Sequence, residues 1–300
     1  MQTHLDCIPC FLHQSLEASR MATDDEKKHE QVMKKVMQYL ETIDFKLSPP
    51  EISRGVHAIV KQETGVDDPY ELVKKQANDQ MLQQLSKLKG LIEDADDSLL
   101  MAVKLSIIGN VVDFGTMNRY NVMEMIDNLS QHPFDDAGYE LFRQRLDDAD
   151  SVLYLADNTG EIVFDRLLLE KIREMDKTIT YVVKNHPIIN DATVADARSV
   201  GIDQLATVLE GDDGTEYSAP GLVLSFTSSC FKGLLDESDM VISKGQGNYE
   251  SLNDIDREIF FLLMVKCPLV ARAIGIDVGT MVLKAKPRKE GCFSPKDSKT

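Results

Sequence analysis

Residues 151–172, Ser-Val-Leu-Tyr-Leu-Ala-Asp-Asn-Thr-Gly-Glu-Ile-Val-Phe-Asp-Arg-Leu-Leu-Leu-Glu-Lys-Ile, decide the fold. Ser151 to Ala156 is a short apolar run of β-forming residues, and apolar residues from Ile162 to Ile172 recur at helical spacing. The piece therefore reads as strand, tight turn, helix. In an open parallel sheet, ligands bind beyond the carboxyl ends of the strands, which is where Asp157 and Asn158 fall. A carboxylate beside an amide oxygen offers hard donors of the kind Mg²⁺ or Mn²⁺ takes. Thr159 or Asn158 is expected to cap the helix, with Glu161 in its first turn. The plainer alternative is that Asp-Asn only closes a turn.

The unit repeats downstream. Thr178 to Val183 is a second strand ending in Lys184-Asn185-His186-Pro187, and Asn190-Asp191-Ala192-Thr193 starts a helix capped by Asn190 or Asp191 and running to about Val200. Leu205 to Leu209 is a third strand, ending in Glu210-Gly211-Asp212-Asp213-Gly214, and Gly221 to Leu235 reads as helix. Met240 to Ser243 is a fourth strand, ending in Lys244-Gly245-Gln246-Gly247-Asn248-Tyr249-Glu250, and Phe260 to Val265 is a fifth. Such alternation gives a mostly parallel sheet with helices on its faces, an α/β fold. Its strand ends form a polar rim. Asp157, Asn158 and Asp191 are candidate ligands of one divalent cation, with Lys244 and Lys184 placed to neutralise a phosphoryl group. Gly245 and Gly247 would let backbone N–H groups reach phosphate oxygens. For Lys244 the alternative is an idle surface lysine.

Upstream, from Phe11 to about Asp148, the periodicity is helical with almost no strand signal. Val32, Val36, Met37 and Leu40 share a helix face, Pro49-Pro50 stops the chain before Glu51 to Thr64, and Asp68-Pro69-Tyr70 precedes a further helix. Ser98 to Val112 is apolar nearly all round, the mark of a buried helix, yet it delivers Gly109-Asn110-Val111-Val112-Asp113-Phe114-Gly115. Asn110 and Asp113, three apart on one face, belong either to a satisfied buried network or to a polar site. The expected organisation is a helical domain over 1–148 whose helix 98–117 contributes to the site, a catalytic α/β domain over 149–285, and a mobile tail over 286–300.

Composition excludes several classes. The chain has 300 residues, 43% apolar and 28% charged, with a formal charge of −17. That charge argues against nucleic acid as a partner. No apolar stretch is long enough to span a membrane and no leader pattern opens the chain, so a cytoplasmic protein is expected. Five mostly scattered cysteines do not form a disulfide framework. Cys7 and Cys10, in Cys-Ile-Pro-Cys, are a candidate second metal site or redox pair with His4 and His13 nearby, or they simply pack. Asp-Asn-Thr-Gly-Glu has one glycine where a dinucleotide or S-adenosylmethionine site of Rossmann type wants three, and neither a P-loop nor G-x-S-x-G is present.

The ordered set Gly109-Asn110-x-x-Asp113-Phe-Gly, Ala156-Asp157-Asn158-x-Gly160-Glu161, Asn190-Asp191-Ala-Thr and Lys244-Gly245-Gln246-Gly247-Asn248-Tyr249-Glu250 resembles the damage-control phosphatase family, formerly domain of unknown function 89. Asp68-Pro69-Tyr70 and Lys266-Cys267-Pro268 extend the resemblance, and the Cys-x-x-Cys is similar to that of its prokaryotic branch. The resemblance implies a helical domain beside a Rossmann-like α/β/α domain, and a metal-dependent phosphatase acting on sugar phosphates or related small esters with Mg²⁺, Mn²⁺, Co²⁺ or Ni²⁺. By matching motifs, Asp157, Asn158 and Asp191 would hold the metal and Lys244 would bind phosphate. Asn110 and Asp113 would complete the pocket, alongside Glu161, Lys184, Gly245, Gly247 and Asn248. The expected catalytic set is Asp157, Asp191 and Lys244. Either Asp157 attacks phosphorus or a water does. The competing readings are a phosphometabolite-binding protein without turnover and a carboxyl methyltransferase; the sequence leaves the oligomeric state open.

Overall fold

The computed structural model describes residues 1–110 and 119–288. Six helices come first: α1 (Cys7–Ala22), α2 (Glu26–Glu41), α3 (Pro49–Thr64), α4 (Glu71–Leu82), α5 (Leu85–Glu93) and α6 (Ser98–Gly109). Then follow α7 (Arg119–Asp127), β1 (Phe134–Asp135), α8 (Tyr139–Asp148), β2 (Ser151–Leu155), α9 (Glu161–Glu174), β3 (Thr178–Val183), α10 (Val194–Ser199) and β4 (Thr207–Glu210). The chain ends in α11 (Ser229–Glu237), β5 (Met240–Lys244), α12 (Gly245–Leu252), β6 (Ile259–Met264), α13 (Pro268–Ile274) and β7 (Met281–Lys286).

The strands form one sheet in the order β1-β7-β6-β5-β2-β3-β4, parallel except for the β6–β7 pair. Strands β2 and β6 are apolar along their length because both faces are covered. Val152 and Tyr154 join the core under α5, α6, α8 and α9, whereas Leu153 and Leu155 join the core under α11, α12 and α13. Phe260 and Phe261 divide in the same way. This is the expected α/β/α arrangement. Helices α1–α3 close a third core around Phe11, Val36, Ile52 and Val56.

Several local expectations need correction. Pro49 opens α3 rather than stopping the chain ahead of it, because proline at the first helical position loses no bond and Ser48 with Glu51 forms a capping box. Over 221–235 only Ser229 onward is α-helix: Gly221 sits at φ +118° and Ser228 caps α11 through the Phe231 N–H, so the chain turns twice before the helix starts. Two strands are additional to the five expected. One of them, β7, carries the chain through Lys286, so Lys286 is a strand residue and not tail.

Strand order reverses at β2: the chain moves outward through β3 and β4, then returns to place β5 on the other side. A crevice opens beyond the carboxyl ends of the strands at such a switch point. The segments that follow β2, β3 and β5 all face it.

Candidate active site

Beyond β2 the chain makes a short antiparallel contact with the segment after β3. Thr159 N–H donates to Asn190 O at 2.9 Å, Ala192 N–H donates to Asp157 O at 2.8 Å, and Asn158 stands directly opposite Asp191. This miniature ladder brings the three expected metal ligands together. The helices that follow are not capped by the residues expected. Gly160, at φ +79°, is the N-cap of α9, and Thr193 caps α10 in a reciprocal box with Asp196. Asn158, Asn190 and Asp191 are therefore released from capping.

Asp157 Oδ2 accepts hydrogen bonds from Asn110 Nδ2 at 2.7 Å and Asn158 Nδ2 at 2.8 Å. The carboxylate rests on Gly245, where an added Cβ would lie 1.8 Å from Oδ2. Asn110, just past α6, also donates to Glu161 Oε2 at 2.8 Å, which ties the helical layer to the start of α9. Gly109 permits that approach by packing on Phe164. Asp113 lies outside the described residues.

The phosphate-binding role expected of Lys244 does not match its surroundings. Its ammonium is fully buried and donates to Glu161 Oε1 at 2.6 Å, Asp165 Oδ1 at 2.7 Å and Ser106 O at 2.8 Å, which uses all three of its protons. Burial alone would depress its pKa, and Asp165 and Glu161 reverse this so that it ends raised. Asp165 is in turn held by Tyr154 and Tyr181, whose hydroxyls donate at 2.7 and 2.8 Å. Lys244 is thus a structural cation under the site. Lys184 is a buried lysine with protons to spare: its Nζ forms an ion pair with Asp191 Oδ2 at 3.6 Å, and neither atom has a hydrogen-bond partner. The end of β3 that carries Lys184 is braced by Asp212, which accepts from Asn185 N–H at 3.1 Å.

Asn248 is also a strut. It donates to Ala156 O and Lys244 O, both at 2.9 Å, and accepts from Leu222 N–H at 2.8 Å. Gly247 lacks a side chain because Pro220 O would be 2.5 Å from its Cβ. Cys7 and Cys10 are free thiols at a cavity wall. Lost hydration, with some help from nearby acids, raises the Cys7 thiol and pushes Cys10 up to about 11, which disfavours the reactive thiolate. His4 and His13 face Asp6 and Glu17 instead.

Sequence reasoning missed Asn78, on α4. Its Oδ1 accepts from Gly160 N–H at 2.6 Å, so a helix far away in sequence fixes the turn behind Asp157. One helical turn earlier, buried Lys74 pairs with Asp68 at 2.7 Å and with Asp196 of the α10 cap at 3.5 Å. Asp165 was missed as well, although its place four residues after Glu161, directly behind the apolar run Ile162-Val163-Phe164, is a legible signal.

Burial, reinforced by the Asp191 charge, raises the Asp157 carboxyl to about 7. Burial raises Asp191 to about 6 against the pull of Lys184, and Glu161 to about 7 against Lys244. Carboxylates that resist ionisation side by side are stabilised by a cation, and the donors present fit a hard one: Asp157, Asp191 with its orphaned Oδ2, and the Asn158 amide oxygen. Among the described residues no group of three or more His, Cys, Asp and Glu is arranged to hold a metal, so further ligands would have to be amide, backbone, water or substrate oxygens.

Residues 3–282 match the model of the damage-control phosphatase ARMT1-like domain. The chain is 34% identical over 282 residues to a damage-control phosphatase of Archaeoglobus fulgidus, covering 93% of this chain and 97% of that one. It is 33% identical over 287 residues to a damage-control phosphatase of Pyrococcus horikoshii, covering 94% and 97%. The crystal structure of a DUF89 family protein from Pyrococcus horikoshii superimposes with a TM-score of 0.83 at 31% identity, over 95% of this chain and 99% of that one. The chain belongs to the damage-control phosphatase ARMT1-like family.

Proposed function

We propose that this protein is a metal-dependent phosphatase that hydrolyses small phosphomonoesters. One observation carries the reading: buried oxygen donors from Asp157, Asn158 and Asp191 meet a buried Lys184 ammonium, ion-paired with Asp191 at 3.6 Å but without a hydrogen-bond partner, at the sheet's switch point. The names of the relatives support it. Asp157, Asn158 and Asp191 are the residues that would hold a Mg²⁺, Mn²⁺, Co²⁺ or Ni²⁺ ion. When bound, such an ion supplies Lewis-acid polarisation of the phosphoryl group.

The chain's own residues do the rest. Lys184 Nζ, 3.6 Å from Asp191, is placed to donate to a phosphoryl oxygen as charge redistributes in the transition state. Asn110 and Asn158 both donate to Asp157 Oδ2, which fixes the carboxylate and blunts it as a nucleophile. This favours Asp157 as a ligand and water as the attacking group. Beneath them, Lys244, Glu161 and Asp165 hold Asn110 and the start of α9 in register.

The test is phosphate release from a panel of small phosphomonoesters with each of the four metals, with and without chelator, for the wild type and Asp157→Asn. Release that needs metal and falls at least about 100-fold in the variant is expected. Absence of release from every ester by metal-loaded wild type would overturn the reading in favour of a binding protein.

A further inference from the structure

Between Lys184 and Asp191 one residue is held in a conformation that its type avoids. Ile189 sits at φ +46°, in the left-handed region, where a β-branched side chain crowds the backbone. The other non-glycine residue at positive φ among the described residues is Asp176, whose short polar side chain tolerates it. Such a conformation persists only where the surroundings impose it.

Residues 185–191 leave β3 and return, and Lys184 N–H closes the base of this loop on Ala192 O at 2.9 Å. Asn190 O and the Ala192 N–H are fixed by their bonds to Thr159 and Asp157 at the turn after β2. With Ile189 in the left-handed region, Asp191 N–H reaches Ile188 O at 3.0 Å. The far end of the loop rests on α3. Lys61 Nζ donates to Pro187 O at 2.6 Å, and the Lys61 side chain is only 9% exposed. The Ile189 side chain packs against the core of α1–α3. Packing alone does not close the contact: a cavity of about 10 Å³, room for roughly one water, remains among His57, Val60, Tyr70 and residues 187–189. The Lys61 bond is therefore the directional tie. Lys61 also pairs with Asp67 at 3.3 Å, but that carboxylate is 80% exposed, so the pair adds little.

We propose that Lys61 is a positioning residue for the candidate active site: by holding Pro187 it keeps Ile189 in the left-handed region, and that turn sets where Asp191 and Lys184 stand. The proposal rests on the metal site proposed above and adds to it a brace from α3. Without the brace Ile189 relaxes toward ordinary backbone regions, Asp191 N–H leaves Ile188 O, and the fraction of molecules ready to take a cation falls. Apparent metal affinity falls by the same factor.

Glycine adopts φ +46° readily, so at position 189 it removes the need for the brace. The experiment is a double-mutant cycle of Lys61→Met and Ile189→Gly, read by calorimetric titration with Mn²⁺, with Lys61→Arg and Asp67→Ala beside it. Lys61→Met is expected to weaken Mn²⁺ binding about tenfold in the wild-type background and less than about threefold in Ile189→Gly. Lys61→Arg keeps a donor for Pro187 O and is expected to restore most of the affinity, whereas Asp67→Ala leaves it unchanged. In metal-free protein, hydrogen exchange of the Asp191 and Ala192 amides, read by NMR, is expected to quicken at least about tenfold in Lys61→Met but not in Asp67→Ala. Equal losses of Mn²⁺ affinity in the two backgrounds, or exchange unaffected by Lys61→Met, overturns the proposal. If the wild type binds no Mn²⁺, the metal-dependent reading falls, and quickened exchange in Lys61→Met that shrinks in the Ile189→Gly background still upholds the brace.

Discussion

Gly245 shows how little freedom the site has. At φ +78°, with the Asp157 carboxylate where its Cβ would be, it admits no side chain without moving a candidate metal ligand. Gly245→Ala should therefore lower Mn²⁺ affinity by roughly 10–100-fold, the scale on which displaced ligand supports act; isothermal titration would read it, and unchanged affinity would show that Asp157 is not a ligand. The two buried lysines should separate cleanly. Lys244→Met strands Glu161 and Asp165 without their cation and is expected to cost about 3–5 kcal/mol of stability in denaturant unfolding. Lys184→Met leaves no such pair of tightly bound acids, so its expected effect is a raised KM for phosphate esters with a smaller loss of stability. The reverse pattern would return the phosphate-binding role to Lys244.

At the scale of elements, α4 acts as a clamp on both loops that carry candidate metal ligands. Asn78 holds Gly160 behind Asp157, while Lys74 holds the α10 cap that follows Asp191. Asn78→Ala should weaken Mn²⁺ binding about tenfold. Asn78→Asp keeps an acceptor for the Gly160 N–H and should restore most of the affinity. Equal losses in both variants would mean that the clamp is packing alone. None of this was legible in the sequence, because α4 offers only scattered polar residues and its partners lie 82 residues or more away for Asn78 and over a hundred for Lys74 and Asp196. By contrast β2 and β6 announced themselves as nearly unbroken apolar runs, since strands covered on both faces are mostly apolar, and β3 and β5 by short apolar and β-branched runs. Strand β1 was too short to leave a pattern, and Lys284 and Lys286 broke the apolar run of β7. Asp157, Asn158 and Asp191 were legible because polar residues that closely follow such runs fall at the rim of the sheet, where ligands bind. Lys244-Gly-Gln-Gly misled because it resembles a phosphate loop, while the acids that consume the lysine are 83 and 79 residues distant.

For the whole molecule, the union of α1–α3 with the α/β layers should be sensitive to pH. His57 of α3 is buried beside Pro187, Ile188 and Ile189 with its Nε2 unpartnered, and burial, aided by Lys61, lowers its pKa from 6.5 to about 4. The unfolded chain thus binds a proton below pH 6.5 that the folded chain refuses until about pH 4, so stability is intact above 6.5 and is lost as pH falls through that window. Between pH 7 and pH 5 the contribution is about 2 kcal/mol. His57→Gln should remove that part of the pH dependence in paired denaturant titrations; an unchanged pH profile would show that the folded protein protonates His57 as readily as the unfolded chain. The helices that precede the sheet in the chain also shape the candidate site, since Asn110 and Asn78 reach the turn after β2 from them. The most direct measurement is anomalous diffraction from crystals grown with Mn²⁺. A peak within coordination distance of Asp157, Asn158 and Asp191 is predicted, whereas a peak only beside Cys7, Cys10 and Cys267, or none at the ends of β2 and β3, would contradict the account.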